Sequence, residues 1–176
     1  MNAGSSLAID YLGQIQLQQP ITPESDAVNA VCHYAEAHPQ RAEEMMYCGA
    51  LMARMEHRRG ETKPSPGALR WLSTAAQLAP HLALARCELG KNLAWAGEWY
   101  PAQTQMEACV RLEPDSAEGH YRLAQIYLHL GQTERARRET ILHNQVMRHM
   151  VAANAQRDAT LKKFLYTMTE NAATVR

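Results

Sequence analysis

The sequence predicts an all-α protein, and three observations support this fold class. Among its 176 residues, Ala, Leu, Met, Gln, Glu and Arg predominate, and all of these favour helices. Val and Ile, which favour strands, are scarce, and Phe164 is the single phenylalanine. A pattern also recurs at a fixed interval of about 34 residues, which is typical of helical repeats. We therefore expect an α-solenoid of antiparallel helix pairs with a long C-terminal capping helix.

The repeat is clearest when two neighbouring segments of the chain are aligned. Pro80 is matched by Pro114 and Gly97 by Gly131. Prolines at this position separate successive units, and the glycines can adopt the left-handed conformation that ends the first helix of a pair. Small residues at further matched positions let two helices approach closely. The further matches are Leu89 with Leu123, Gly90 with Ala124, Leu93 with Tyr127, and Ala102 with Ala136.

This pattern resembles the tetratricopeptide-repeat (TPR) family, whose repeat of 34 residues is a pair of antiparallel helices. The resemblance is strongest between Gly67 and Gln145. It implies that residues 1–176 form a single TPR-like domain. We expect the domain to comprise a weak helix pair (1–40), a degenerate repeat (41–80) with a loop insertion at 59–66, two regular repeats (81–114 and 115–148), and a final helix (149–176).

Local signals mark where several helices begin. Thr22-Pro23 and Ser65-Pro66 each combine a capping hydroxyl with a proline suited to the first helical turn. Asp115, followed three residues later by Glu118, resembles a capping box. These signals predict helix starts close to residues 23, 66 and 116.

The C-terminal segment has a different pattern from the repeats. Its apolar positions follow one another at intervals of three and four residues, which predicts an amphipathic helix. One interpretation is a cap that covers the last repeat, and the other is a dimerisation helix that makes a homodimer. The positions are Val146, Met150, Ala153, Arg157, Leu161, Phe164 and Met168, of which Arg157 is the one charged residue.

Charge and hydropathy exclude several classes of function. Eighteen basic and eighteen acidic residues give a net charge of zero, whereas nucleic-acid binding requires a basic surface. The local cluster Arg135, Arg137 and Arg138 is interpreted as a solvated helix face. The first residues lack the basic and apolar parts of a secretory signal, and no stretch is apolar enough to span a membrane. We expect a cytoplasmic protein that binds no nucleic acid and has no membrane-spanning segment.

No constellation of residues points to catalysis. There is no phosphate-binding glycine loop, and the eight histidines show no metal-ligand spacing. The four cysteines include no C-x-x-C pair, so we expect free thiols, with Cys109 in the core and Cys87 facing a groove. We therefore predict that the protein is not an enzyme and has no cofactor or metal.

The TPR resemblance implies where a partner binds, because the first helices of successive repeats line a concave face in that family. The alternative is that the C-terminal helix covers part of this face, including Trp95, Tyr121 and Leu128. Transferring the family's groove positions onto this chain gives a mixed apolar and charged surface. The transferred positions are Met46, Arg54, Leu84, Cys87, Lys91, Trp95, Glu118, Tyr121, Arg122, Gln125 and His129.

These features favour a non-catalytic scaffold or adaptor that holds a peptide or helix of another protein in the concave groove. One alternative is a small cytoplasmic TPR-type chaperone for a secreted or assembled client. A second is an accessory subunit of an enzyme or of a metal-containing complex. The sequence leaves these alternatives open, since one helical-repeat fold serves many roles.

Overall fold

The computed structural model describes residues 3–18 and 26–173, which form eight α-helices and no strand. The predicted all-α fold class is therefore confirmed. The helices are α1 (Ala3–Gln18), α2 (Asp26–Ala37), α3 (Ala42–Arg58), α4 (Pro66–Leu78), α5 (Ala83–Trp95), α6 (Trp99–Leu112), α7 (Ala117–His129) and α8 (Thr133–Ala173).

The helices are arranged in two layers. Each helix packs against the next one along the chain, as short connections dictate. The odd-numbered helices α1, α3, α5 and α7 also contact one another in succession, whereas the even-numbered helices make no such contacts within the described residues. The odd-numbered helices are thus closer together and form the inner layer of a curved array.

Small residues allow the two layers to approach closely. A Cβ atom added to Gly90 of α5 would lie 3.1 Å from the backbone nitrogen of Met106 and 3.3 Å from the carbonyl oxygen of Ala102, both in α6. Ala102 and Ala136 are fully buried, as the repeat pattern predicts. The backbones of α5 and α6 are therefore almost in direct contact at this point. A larger side chain at position 90 would push the two helices apart.

The buried side chains form two clusters. The first joins α2, α3, α4 and α5 and includes Met46, Leu51 and Leu72. The second joins α6, α7 and α8 through Met106 and Ile126. Burial in the second cluster, reinforced by a 2.8 Å hydrogen bond from its hydroxyl to Glu107, raises the pKa of Tyr127 to about 12.

The predicted turn glycines adopt the expected backbone conformation. Gly97 has φ of 81° between α5 and α6, and Gly131 has φ of 72° between α7 and α8. Nothing lies within 4 Å of a Cβ added at Gly97, so conformation alone selects glycine there. The repeat alignment had located both turns correctly.

The predicted helix starts are partly correct. Ser65 caps α4, since its hydroxyl accepts a 3.2 Å hydrogen bond from the backbone nitrogen of Ala68. At α7 the cap is Ser116 and not Asp115, because the Ser116 hydroxyl is the group that accepts from the nitrogen of Gly119, at 3.2 Å. The Thr22-Pro23 prediction falls outside the described residues.

The C-terminal segment differs from the prediction of a separate capping helix. Residues 149–173 continue the second helix of the last pair, so α8 is one helix of 41 residues. Neither proline nor glycine interrupts the sequence after Thr133, so nothing ends the helix. The start of α8 packs on α7 and reaches α6 through Arg135, whose Nη1 lies 3.6 Å from Glu107 Oε1, whereas the side chains of residues 147–164 are exposed. The capping interpretation is therefore wrong for this part of α8.

The prediction of free cysteines is also wrong, because all four are paired in disulfides. Cys32 in α2 pairs with Cys48 in α3, and Cys87 in α5 pairs with Cys109 in α6, with Cα atoms 4.7 and 5.0 Å apart. These partners lie on different helices, so their spacing in the sequence carries no sign of the pairing. Loops of this length give a stabilisation of about 3 kcal/mol per bridge in the chain-entropy account.

None of the helices in the described part of the chain is long and apolar enough to cross a membrane. The length of α8 would suffice, but charged side chains occur throughout it.

Two glycine substitutions test the contribution of the turns to stability. We expect Gly97→Ala to lower the free energy of unfolding by about 1–2 kcal/mol, the usual cost of a left-handed Cβ-bearing residue. Gly67→Ala is the control, because Gly67 lies in α4 and an added Cβ would be at an ordinary 3.5 Å from Met52. The control should be neutral or stabilising by about 0.5 kcal/mol. Urea unfolding measures the free energy of unfolding of both variants. Equal changes at residues 97 and 67 would contradict the conclusion that the positive φ selects glycine at position 97.

Candidate functional site

The concave face contains a groove with a volume of about 870 Å³. All four inner helices supply its walls, because the odd-numbered helices lie side by side along this face. α1 contributes Gln14 and Leu17 at one end, and α7 contributes Ile126 at the other. A groove of this volume lies within the range usual for ligand sites.

The structure brings most of the predicted groove residues together. They come from three consecutive inner helices, which supports the register of the repeat alignment. The predicted residues that line the groove are Arg54 of α3, Leu84, Lys91 and Trp95 of α5, and Glu118, Arg122, Gln125 and His129 of α7.

Three of the predicted residues do not line the groove. Met46 is 1% exposed because α1 packs on this part of α3 and includes it in the core. Cys87 is bonded to Cys109 and therefore turned toward α6. Tyr121 is exposed, and its ring centroid lies 5.6 Å from that of His143 in α8, outside the groove.

Two pairs of aromatic rings line the groove. The ring of His57 meets Trp95 edge-on, with centroids 5.1 Å apart. The ring of His129 stacks on Trp99, with centroids 3.9 Å apart and planes 9° from parallel. His57 and Trp99 were not predicted as groove residues, since they lie at the end of α3 and the start of α6, outside the transferred positions. These rings provide flat surfaces for apolar or cationic groups of a partner.

The cations that line the groove differ in whether a carboxylate lies beside them. Lys91 Nζ donates to Glu88 Oε1 at 2.6 Å, and Arg122 Nε lies 3.5 Å from Glu118 Oε1. Arg54 donates to the backbone carbonyl of Leu17, and no ion pair joins it to a carboxylate of the described residues. With three cations against two carboxylates, the groove has an excess of positive charge.

Arg122 has an additional feature that points toward a ligand. Its Nε atom is buried and lies 3.5 Å from Glu118 Oε1 in a long ion pair, but it forms no hydrogen bond with an acceptor of the described residues. A carboxylate of a bound molecule at hydrogen-bond distance would therefore strengthen the contacts of this guanidinium.

A smaller cleft of about 240 Å³ adjoins the groove between α5, α6 and α7. It shares Lys91 and Arg122 with the groove, and Cys87 forms part of its wall. The disulfide to Cys109 therefore lies beside the groove but not in it.

The groove is not covered by the C-terminal part of α8. That part of the helix contacts none of α1, α3 and α5, and Leu128 of α7 is 59% exposed. The alternative in which this helix fills the concave face is therefore wrong for the described residues.

The polar groups buried outside the groove have structural partners. His120 is 5% exposed, with Nδ1 2.6 Å from Glu139 Oε2 and Nε2 2.8 Å from the carbonyl oxygen of Pro114. These contacts connect α7 to α8 and to the preceding turn. Among the described residues no three His, Cys, Asp or Glu side chains are grouped as metal ligands.

Comparison with known proteins adds independent observations. The tetratricopeptide-repeat family profile matches residues 106–138, which cover the second half of α6, all of α7 and the start of α8. The TPR repeat-containing thioredoxin TTL4 of Arabidopsis thaliana is 32% identical over 136 residues. That alignment covers 77% of this chain but 18% of TTL4, so the chain spans less than a fifth of this relative's length.

Solved structures of MamA are similar in fold. The superposition with one of them covers 82% of this chain and 74% of the MamA chain, with a TM-score of 0.62 and 17% sequence identity. The superposition with another covers 68% of this chain and 66% of the MamA chain, with a TM-score of 0.58 and 19% sequence identity. These structures show a similar fold alone. The repeat profile and the TPR-containing relative show that the chain is a tetratricopeptide-repeat protein.

Proposed function

We propose that the protein is a non-catalytic scaffold whose concave groove binds a peptide or helix of a partner protein. The observation that carries the proposal is the open groove on the inner layer, in which aromatic rings lie between two incompletely paired arginines. Helical-repeat proteins commonly use such extended concave faces for binding.

The charges of the groove favour an acidic partner. Arg54 of α3 and Arg122 of α7 both line the groove, with α5 and its Trp95 between those helices in the inner layer. A carboxylate of the partner would supply the acceptor that Arg122 Nε lacks and the counter-charge that Arg54 lacks. We therefore infer a segment with acidic groups flanking an apolar or aromatic side chain that packs on Trp95.

Truncating one aromatic ring at a time tests the position of the binding site. Peptides selected by display against the purified protein provide a defined probe, and fluorescence polarisation measures their Kd. We expect Trp95→Ala to weaken binding about thirtyfold, since a central tryptophan commonly contributes 2 kcal/mol or more. Tyr100→Ala is the control, because it removes a 72% exposed ring of α6 that does not line the groove, and it should change the Kd less than twofold.

The same peptides test the proposed role of charge. Arg54→Gln retains an amide that can donate to the Leu17 carbonyl while it removes the charge. The double variant Arg54→Gln/Arg122→Gln should bind the peptides at least tenfold more weakly, a loss of about 1.4 kcal/mol. Its Kd should also depend less on salt concentration. Unchanged affinity in both the Trp95 and the double arginine variants would contradict the proposal, provided that circular dichroism shows intact folding.

An exposed apolar stripe on α8 favours a second property, self-association. Met150, Leu161 and Phe164 are 51%, 54% and 57% exposed. They lie on the same face of α8 as Ala136 and His143, which pack against α7 nearer the start of the helix. The stripe thus continues a surface that already packs against a helix.

We propose that the stripe packs against the same stripe of a second copy. Arg148 and Lys163 lie on the opposite face of the helix by the 3.6-residue period, so they would not oppose one another in such a pair. Arg157 lies within the stripe, where it donates a 2.9 Å hydrogen bond to Asn154 Oδ1. Its long side chain lets the guanidinium reach the edge of the contact while its methylene groups pack. Pairing the same patch on both copies gives a closed two-fold dimer.

Charge substitutions on opposite faces of α8 test this dimer. Met150→Glu with Leu161→Glu should shift the mass measured by light scattering from dimer to monomer, because burying two carboxylates is costly. Ala152→Glu with Gln156→Glu adds the same charge on the other face and should leave the dimer intact. A wild-type protein that is monomeric at micromolar concentration would overturn the dimer but not the proposed groove.

A further inference from the structure

The two cysteine pairs have an unexpected common arrangement. In each pair one cysteine is fully buried, namely Cys48 and Cys109, each 0% exposed. Its partner, Cys32 or Cys87, is partly exposed. An exposed thiol beside a buried one suits stepwise thiol–disulfide exchange, since a reagent reaches the first sulfur and the second completes the bond.

The Cys87–Cys109 pair is the one next to the groove. Cys87 forms part of the wall of the smaller cleft, which shares Leu84, Lys91 and Arg122 with the groove. Small molecules can therefore approach Cys87 from the concave side. The other pair lies between α2 and α3, and neither of its cysteines lines the groove or the cleft.

We propose that Cys87–Cys109 is a regulatory thiol–disulfide site whose oxidation state controls the groove. In the oxidised form the bond holds α5, which carries Lys91 and Trp95, against α6. In the reduced form packing and the 2.7 Å hydrogen bond from Arg86 to Gln105 are left to hold this helix against α6, so α5 is less firmly fixed and the groove loses affinity for its partner. This regulation rests on the proposed binding function of the groove.

The reaction needs an oxidant, and oxidised glutathione represents the required class of small disulfides. The Cys87 thiolate attacks one glutathione sulfur, forming a mixed disulfide and releasing one glutathione thiolate. The Cys109 thiol then loses its proton to solvent and attacks the Cys87 sulfur, which forms the protein disulfide and releases the second glutathione. The two protein thiols lose two electrons, and oxidised glutathione gains them.

The unequal exposure of the two sulfurs sets this order of events. Cys87 is partly exposed and lines the cleft, where the cations Lys91 and Arg122 are paired with Glu88 and Glu118. Cys109 lies in the core with Met106 and Leu123, beyond the reach of a tripeptide. Cys87 is therefore the entry point and Cys109 the resolving thiol.

Mass spectrometry of single-cysteine traps tests the entry point. Both traps are made in the Cys32→Ser/Cys48→Ser background, which leaves only the second pair. After reduction and exposure to oxidised glutathione, the Cys109→Ala trap should carry one glutathione on Cys87. The Cys87→Ala trap should react at least tenfold more slowly. Equal rates, or no adduct on Cys87, would overturn the proposal.

Hydrogen exchange then tests the effect on α5, with the full chain in the same background. Oxidation should slow the exchange of the α5 amides at least fivefold and leave α3 unchanged. The display-selected peptide should bind the oxidised form at least fivefold more tightly. Equal exchange of α5 in both states would overturn the regulation. If the peptide binds neither state while the exchange of α5 changes, the binding function fails and the redox-dependent anchoring of α5 remains.

Discussion

The structure depends on the close packing of α5 against α6. Gly90 and Ala102 bring the two backbones so near that a Cβ at residue 90 would lie 3.1 Å from a backbone nitrogen. On one face α5 carries the small residue and the cysteine that contact α6, and on another it carries Lys91 and Trp95 of the groove. A shift of this helix would therefore move the groove wall. The equivalent small residues Ala124 and Ala136 serve the last helix pair.

Much of this architecture was predictable from the sequence because it repeats. Matched residues such as Gly97 and Gly131 have the same structural role in two repeats, since each has a positive φ in the turn between the two helices of its pair. The register they define also located Lys91, Trp95 and Arg122 on one surface. The prediction failed where a residue's position depends on contacts that do not repeat, as for Met46, which α1 helps to bury.

The cysteine pairs and α8 were mispredicted for different physical reasons. Disulfide partners such as Cys32 and Cys48 meet only after two helices pack, so their positions in sequence are uninformative. The C-terminal apolar stripe was read as buried because apolar faces usually are. In α8 the stripe extends past α7, and Met150 and Leu161 remain exposed. These two features are the basis of the proposals that a disulfide anchors a groove helix and that α8 supplies a surface for self-association.

The central claim is that partners bind on the inner layer between α3, α5 and α7. Site-specific photo-crosslinking in the native host tests it most directly, with p-benzoylphenylalanine in place of Trp95 in the groove or of Tyr100 on α6. Tyr100 is 72% exposed and does not line the groove. The account predicts a crosslinked partner from position 95 and none from position 100. The same partner captured from position 100, with nothing from position 95, would contradict it.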